Sequence, residues 1–376
     1  MKIILAPDKY KGSLTGIQFC NAVTEGILSI NPTSEIINMP LADGGDGTIE
    51  ILDYHLHGKN IKLEVENPIF NPVDANYFYM ESIDTAYIEM AEASGMKLLR
   101  PEEQNCMYTT TFGTGKLIED AIKKGAKTIV LGIGGSATND CGIGMAKALG
   151  YDFLDKKGQT IIPIGKNLLK IDKIDTSNVI KSLDKVTFKV ACDVANPLYG
   201  PDGAAFVYAP QKGASPTQVK ALDRGLKHFS DIITAQFGID LQKIKGTGAA
   251  GGMGAGSLIF LNAKLFSGID LVKELIDFDH QIIEADWIIT GEGKLDSQTL
   301  SGKTIHGVLS SAKKHNVPVA ALCGHIALPE DALKDFGISY VDTVIDRAES
   351  IKDAMNNSYT YLLKMAKDFA KKKLVK

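Results

Sequence analysis

Twice within residues 1–56 the chain runs a short apolar segment into a glycine-bearing loop that carries an acid, and then into a helical pattern. Lys2 to Ala6 leads into the loop Pro7 to Leu14 and a helix from about Thr15 to Ile30, with Ile17, Cys20, Val23, Ile27 and Leu28 at helical spacing. Ile36 to Met39 leads into Ala42-Asp43-Gly44-Gly45-Asp46-Gly47-Thr48 and a second helix. This unit builds a doubly wound α/β sheet, and such sheets collect ligands at the carboxyl ends of their strands.

From Leu63 the pattern changes. Leu63 to Glu66, Val73 to Met80 and Ala86 to Met90 alternate with turn residues between them, which predicts antiparallel strands. The α/β style returns at Thr128 to Ile133 and at Phe188 to Cys192, and it is clean again near the end, at Asp286 to Thr290, Val317 to Cys323 and Tyr340 to Ile345, with helices near 303–315 and 350–372. At roughly 150 residues per domain, 376 residues suggest two domains. Because the two ends share one style, we expect a discontinuous parallel-sheet domain from 1–64 and 282–376, with a second α/β domain inserted at 65–281.

A formal net charge of −4 gives no reason to expect nucleic acid. Arginine is confined to Arg100, Arg224 and Arg347, so a phosphate or carboxylate would be held by lysine, backbone N–H groups or a metal rather than by guanidinium forks. Five widely spaced cysteines without a CxxC pair argue for reduced thiols and against a disulfide frame or a zinc site. The apolar start is too short for a signal-peptide core and no stretch reaches the length of a membrane span, so a cytoplasmic chain without membrane partners is expected.

Glycine is the abundant residue, 37 of 376, and it clusters. Six loops share one design, small residues after a strand together with an acid or a lysine: Asp8 to Ser13, Asp43 to Thr48, Phe112 to Gly115, Gly132 to Asp140, Gly246 to Gly256, and Gly291 to Asp296 with Gly302 to Thr304. Any one of them reads most simply as a tight turn, but six together point to close backbone approach to a phosphate-bearing ligand. Asp8, Asp43, Asp193 and Glu292 directly follow strands, where an acid is either a helix cap or a group at the functional edge. Two pattern matches fail on context. Gly246 to Gly251 fits GxGxxG without a preceding strand, and Ser301-Gly302-Lys303-Thr304 has Ser297 where a P-loop needs glycine, although Lys303 could still neutralise a phosphate. The seven histidines form no metal-spaced set, and Cys192 reads as a strand-end thiol rather than a nucleophile.

Taken in order, these loops resemble those of the bacterial glycerate kinase family, which includes the glycerate 2-kinases, over nearly the whole chain. The carrying stretches are Ala6 to Leu14, Ala42 to Thr48, Gly134 to Asp140, Cys192 to Leu198, Pro210 to Ala214, Gly248 to Gly252, and Thr290 to Gly293 with Asp296. The resemblance implies phosphorylation of D-glycerate by ATP with Mg²⁺, giving 2-phosphoglycerate, in a cleft between a Rossmann-like domain and the inserted domain of a monomer or homodimer. It implies catalytic roles for Asp193, Asp43, Lys11 and Asp8, with Asp193 or Asp43 orienting or deprotonating the hydroxyl. Substrate or phosphate would be held at Ser13, Gly44, Gly45, Gly134, Gly135, Ser136, Asn139, Lys212, Gly251, Gly252 and Lys303, and metal at Asp46, Glu292 and Asp296. The chain departs from the family pattern at Lys9-Tyr10 (commonly Ser-Phe), Asp46 (Glu), Cys141 (Gly) and Lys245 (Pro). Rival readings are a kinase for another small hydroxy acid or sugar, and a non-catalytic nucleotide or metabolite sensor.

Overall fold

The computed structural model describes residues 1–45, 47–296 and 303–375. The chain forms two compact units, Met1–His55 with Ser267–Lys376, and Leu56–Phe266. These limits differ from the expected ones at both ends. The strand Lys59–Glu66 pairs along its whole length with Pro72–Met80, which carries the second unit's start back before residue 65. At the other end the helix Gly268–Leu275 packs against Thr304–His315, where a Cβ on Gly307 would lie 2.5 Å from Ile269, so residues 267–281 belong with the first unit.

The first unit is built on five parallel strands in the order Glu35–Asn38, Lys2–Leu5, Trp287–Thr290, Val319–Cys323, Ile338–Thr343. Numbered along the chain this is 2-1-3-4-5, a doubly wound order whose switch point lies between Lys2–Leu5 and Trp287–Thr290. Beyond the strand ends these two segments stay zipped. Ala6 N–H donates to the Ile289 carbonyl at 2.8 Å, Asp8 N–H to Gly291 at 2.9 Å, and the Thr290 hydroxyl to the Ala6 carbonyl at 2.8 Å. Asp8 and Glu292 are thereby set at the switch point. Ile3, Ile4 and Leu5 are fully buried, as a two-sided parallel sheet requires.

The first helix, Gly16–Leu28, starts at Thr15, which forms a capping box with Gln18, and buries Phe19, Cys20, Val23 and Ile27. It lies on the last helix, Ser358–Lys373. The helix expected over 350–372 is two helices, Ile351–Asn356 and Ser358–Lys373, broken at Asn357 (φ −113°, ψ 19°).

The second unit carries a six-stranded mixed sheet. Lys264–Phe266, Thr187–Ala191, Thr128–Gly132 and Thr85–Glu89 run parallel, and Pro72–Met80 and Lys59–Glu66 continue antiparallel. Tyr77, Phe153, Phe229 and Phe260 are the largest fully buried side chains of its main core cluster. Among the described residues no helix is long and apolar enough to cross a membrane.

Candidate functional site

The carboxyl edge of the first unit's sheet opens on a cavity of about 600 Å³. The loop Pro7–Leu14 forms one side and is held down by the Tyr10 hydroxyl, which donates to the buried Leu322 carbonyl at 2.7 Å. Tyrosine at this departure from the family pattern thus has a partner for the hydroxyl that phenylalanine lacks. Asp8, Asp43, Glu292 and Asp296 face the space together with Lys9, Lys11, Lys294 and Lys303.

Both carboxylate oxygens of Asp8 are held by hydrogen bonds. One carboxylate oxygen accepts the Lys9 N–H at 2.7 Å and the other the Thr304 hydroxyl at 2.5 Å. Burial holds its pKa above the usual carboxylate range, and the negative charge of Asp43 adds to the rise, while the Thr304 and Lys9 hydrogen bonds oppose it. Asp43 accepts the Gly45 N–H at 3.1 Å, so that glycine's donor is turned to its own loop. Glu292 is almost wholly buried, and Asp296 forms an ion pair with Lys294 at 3.3 Å. Lys11 and Lys303 are exposed, the latter at the start of the helix Thr304–His315. Asp46 and Gly302 lie outside the described residues.

Ser13 lines the cavity, but its hydroxyl donates to the Met355 carbonyl at 2.8 Å and shares a 2.5 Å hydrogen bond with Ser358. It tethers the loop to the C-terminal helices. Thr304, placed by the sequence only at the end of a glycine loop, buttresses Asp8, and sequence reasoning missed an apolar wall of Val344, Ile345, Ile351, Ala354 and Met355. Those residues carry no polar signal, and only the strand order brings them to this edge.

The second unit's candidates follow its own strands. Gly134 and Gly135 are exposed just past Thr128–Gly132, and Asp193 is exposed just past Thr187–Ala191. Ser136 is buried and accepts from the Lys212 ammonium at 2.6 Å, which also donates to the Thr138 carbonyl at 2.8 Å. Lys212 is itself 3% exposed, and burial pushes its pKa down to about 8. Asn139 is sealed, and neither end of its side-chain amide has a hydrogen-bond partner among the described residues. Asp140 accepts from the backbone and hydroxyl of Thr111 and from Gly142 and Gly144 N–H, which fixes the entry to the helix Ile143–Ala148.

Gly251 and Gly252 are buried packing positions. Both have positive φ, and a Cβ on Gly251 would lie 2.1 Å from the Thr138 carbonyl oxygen. The Gly252 N–H donates back to the Gly248 carbonyl at 3.4 Å. Cys141 has φ +55°, a conformation that suits the glycine of the family pattern.

A family model described as the glycerate kinase family matches residues 3–373. The chain is 42% identical over 370 residues to a glycerate kinase of Bacillus subtilis, covering 98% of this chain and 97% of the relative. It is 38% identical over 370 residues to the glycerate 2-kinase of Escherichia coli, with the same coverage. A crystal structure assigned to glycerate kinase 2 of Salmonella typhimurium LT2 superposes with a TM-score of 0.88 at 38% identity, covering 99% of this chain and 98% of that one. With an α/β fold of parallel-sheet character, these relationships define a phosphotransferase that uses an alcohol group as acceptor. Within that class the chain belongs to the glycerate kinase family.

Proposed function

We propose that the chain transfers the γ-phosphoryl group of ATP to the 2-hydroxyl of D-glycerate, giving 2-phosphoglycerate. The carrying observation is the first unit's cavity, where four acids and four lysines face one space at the switch point of a doubly wound sheet. Phosphoryl transfer is catalysed mainly by positioning and charge neutralisation, which such a mixed set can supply. The relatives named glycerate kinase and glycerate 2-kinase support the acceptor and the hydroxyl.

Mg²⁺ suits this donor set. Among the described residues no three His, Cys, Asp or Glu side chains are grouped to cage a metal. Magnesium, however, is usually held by one or two carboxylates plus phosphate oxygens and water. Asp8 and Asp43 are close enough for one charge to raise the other's pKa, a repulsion that a divalent cation relieves. Asp8 and Asp43 would hold the ion, with Glu292 and Asp296 beside them, and it would supply charge neutralisation at the phosphate oxygens. Lys11 and Lys303 neutralise phosphate as point charges. Gly134 and Gly135, with Ser136 fixed by Lys212, offer backbone donors to an anion. Asp193 accepts the proton of the attacking hydroxyl as the new P–O bond forms and the bond to ADP breaks.

The test is ADP release with D-glycerate against a panel of other small hydroxy acids and sugars. D-Glycerate is expected to give the highest kcat/KM, whereas preference for another acceptor, or nucleotide binding without turnover, contradicts the proposal. In the same assay Asp193→Asn should lower kcat by about 10²–10⁴-fold, the range of a general base, and near-normal turnover would remove Asp193 from that role.

A further inference from the structure

The cavity at the first unit's strand edge has two chemically distinct ends, and the phosphates, metal and acids of the reaction account for only one. The other end is the wall of Val344, Ile345, Ile351, Ala354 and Met355. Val344 and Ala354 are buried and form its floor, while Ile351 is 72% exposed and Met355 46% exposed on its rim.

The wall is fixed in place. Val344 N–H donates to the Cys323 carbonyl at 2.9 Å and Ile345 N–H to Gly324 at 3.0 Å, which locks the turn to a strand end. Ser350 caps the helix Ile351–Asn356 by accepting the Asp353 N–H at 3.1 Å. Ser13 donates to the Met355 carbonyl and Ser358 to the Ala354 carbonyl, so nearby hydroxyls are turned into the fold.

Glycerate is small and polar throughout and has no use for such a surface. ATP has one apolar, flat end, its purine, attached through ribose to a polyanion. A cavity of about 600 Å³ falls within the range of ordinary ligand sites. Lys11 and Lys303 on the same lining supply the charge that complements the triphosphate. Resting on the ATP-dependent reading above, we propose that the apolar wall seats the adenine of ATP against Ile351 and Met355, neighbours on one helix face, with the phosphates running toward Asp8 and Lys303.

The experiment combines photolabelling of the full chain by 8-azido-ATP, followed by peptide mapping, with steady-state kinetics of Ile351→Glu and Ile351→Val. The label should fall within residues 344–358 and be competed by excess ATP. Ile351→Glu should raise the KM for ATP about tenfold or more, on the scale of losing one apolar contact and gaining a charge beside the base. The KM for D-glycerate should move much less, and Ile351→Val should restore most of the ATP affinity. Because Ile351 is largely exposed, these variants are expected to fold. Labelling outside 344–358, or an unchanged KM for ATP in Ile351→Glu, overturns the proposal even if D-glycerate is phosphorylated. Competable labelling at 344–358 without D-glycerate turnover supports the seat and contradicts the glycerate reading instead.

Discussion

Lys212 illustrates how residue-level chemistry escapes a sequence reading. The motif Pro210 to Ala214 marks it as an anion ligand, but its ammonium is buried, donating to Ser136 and the Thr138 carbonyl, and no carboxylate forms an ion pair with it among the described residues, although the charge of Asp140 partly offsets the burial. Burial disfavours its charged form, lowering the pKa from its ordinary 10.5 to about 8. The sign follows from proton counting. Below about pH 8 both folded and unfolded chains carry the proton, and the folded state bears the full penalty. Between about pH 8 and 10.5 the unfolded chain binds more protons, so stability rises with pH. At 1.36 kcal/mol per pH unit the whole effect is on the order of 3 kcal/mol. Denaturant unfolding of wild type and Lys212→Met should therefore show the wild type gaining about 2 kcal/mol or more on the variant between about pH 7.5 and 10. A difference that does not change with pH would contradict this assignment. Ser13 escaped for a related reason, because its partners Met355 and Ser358 lie more than 300 positions away in the chain.

Elements were the most legible level. Buried strands read directly as apolar runs, and the first helix was announced by its periodicity. The glycine loops were less transparent, because one residue type serves both ligand approach and close packing. Gly134 and Gly135 are exposed at a strand end, whereas Gly251 is pressed against Thr138 and Gly45 donates to Asp43. Gly26, unremarked in its helix, is a contact point where a Cβ would lie 2.6 Å from the Ala366 Cβ and 2.7 Å from the Leu363 carbonyl oxygen. In an exposed helix interior, glycine to alanine stabilises by about 1 kcal/mol. Here the two helices would have to separate, so Gly26→Ala should destabilise by about 1–3 kcal/mol. Thermal unfolding reads the sign, and a raised Tm would show that the helix pair has room to spare.

At the scale of the whole molecule, the alternation of strands and glycine loops was enough to read α/β architecture and parallel pairing. The strand order was not readable, since 2-1-3-4-5 is decided by which faces pack and not by local pattern. That order sets Asp8, near the amino terminus, beside Glu292, and brings in the apolar wall from residues 344–355. The site's charged half was therefore legible as motifs, while its apolar half became visible only through topology. Similarity over 98% of the chain to relatives named glycerate kinase and glycerate 2-kinase also supports the proposed reaction, whose finest detail is the position of the new phosphate. Phosphorus NMR of D-glycerate incubated with the full chain and Mg·ATP tests it directly. A new resonance of 2-phosphoglycerate is expected to grow as ATP is converted to ADP, whereas a 3-phosphoglycerate resonance, or no phosphoglycerate at all, would contradict transfer to the 2-hydroxyl.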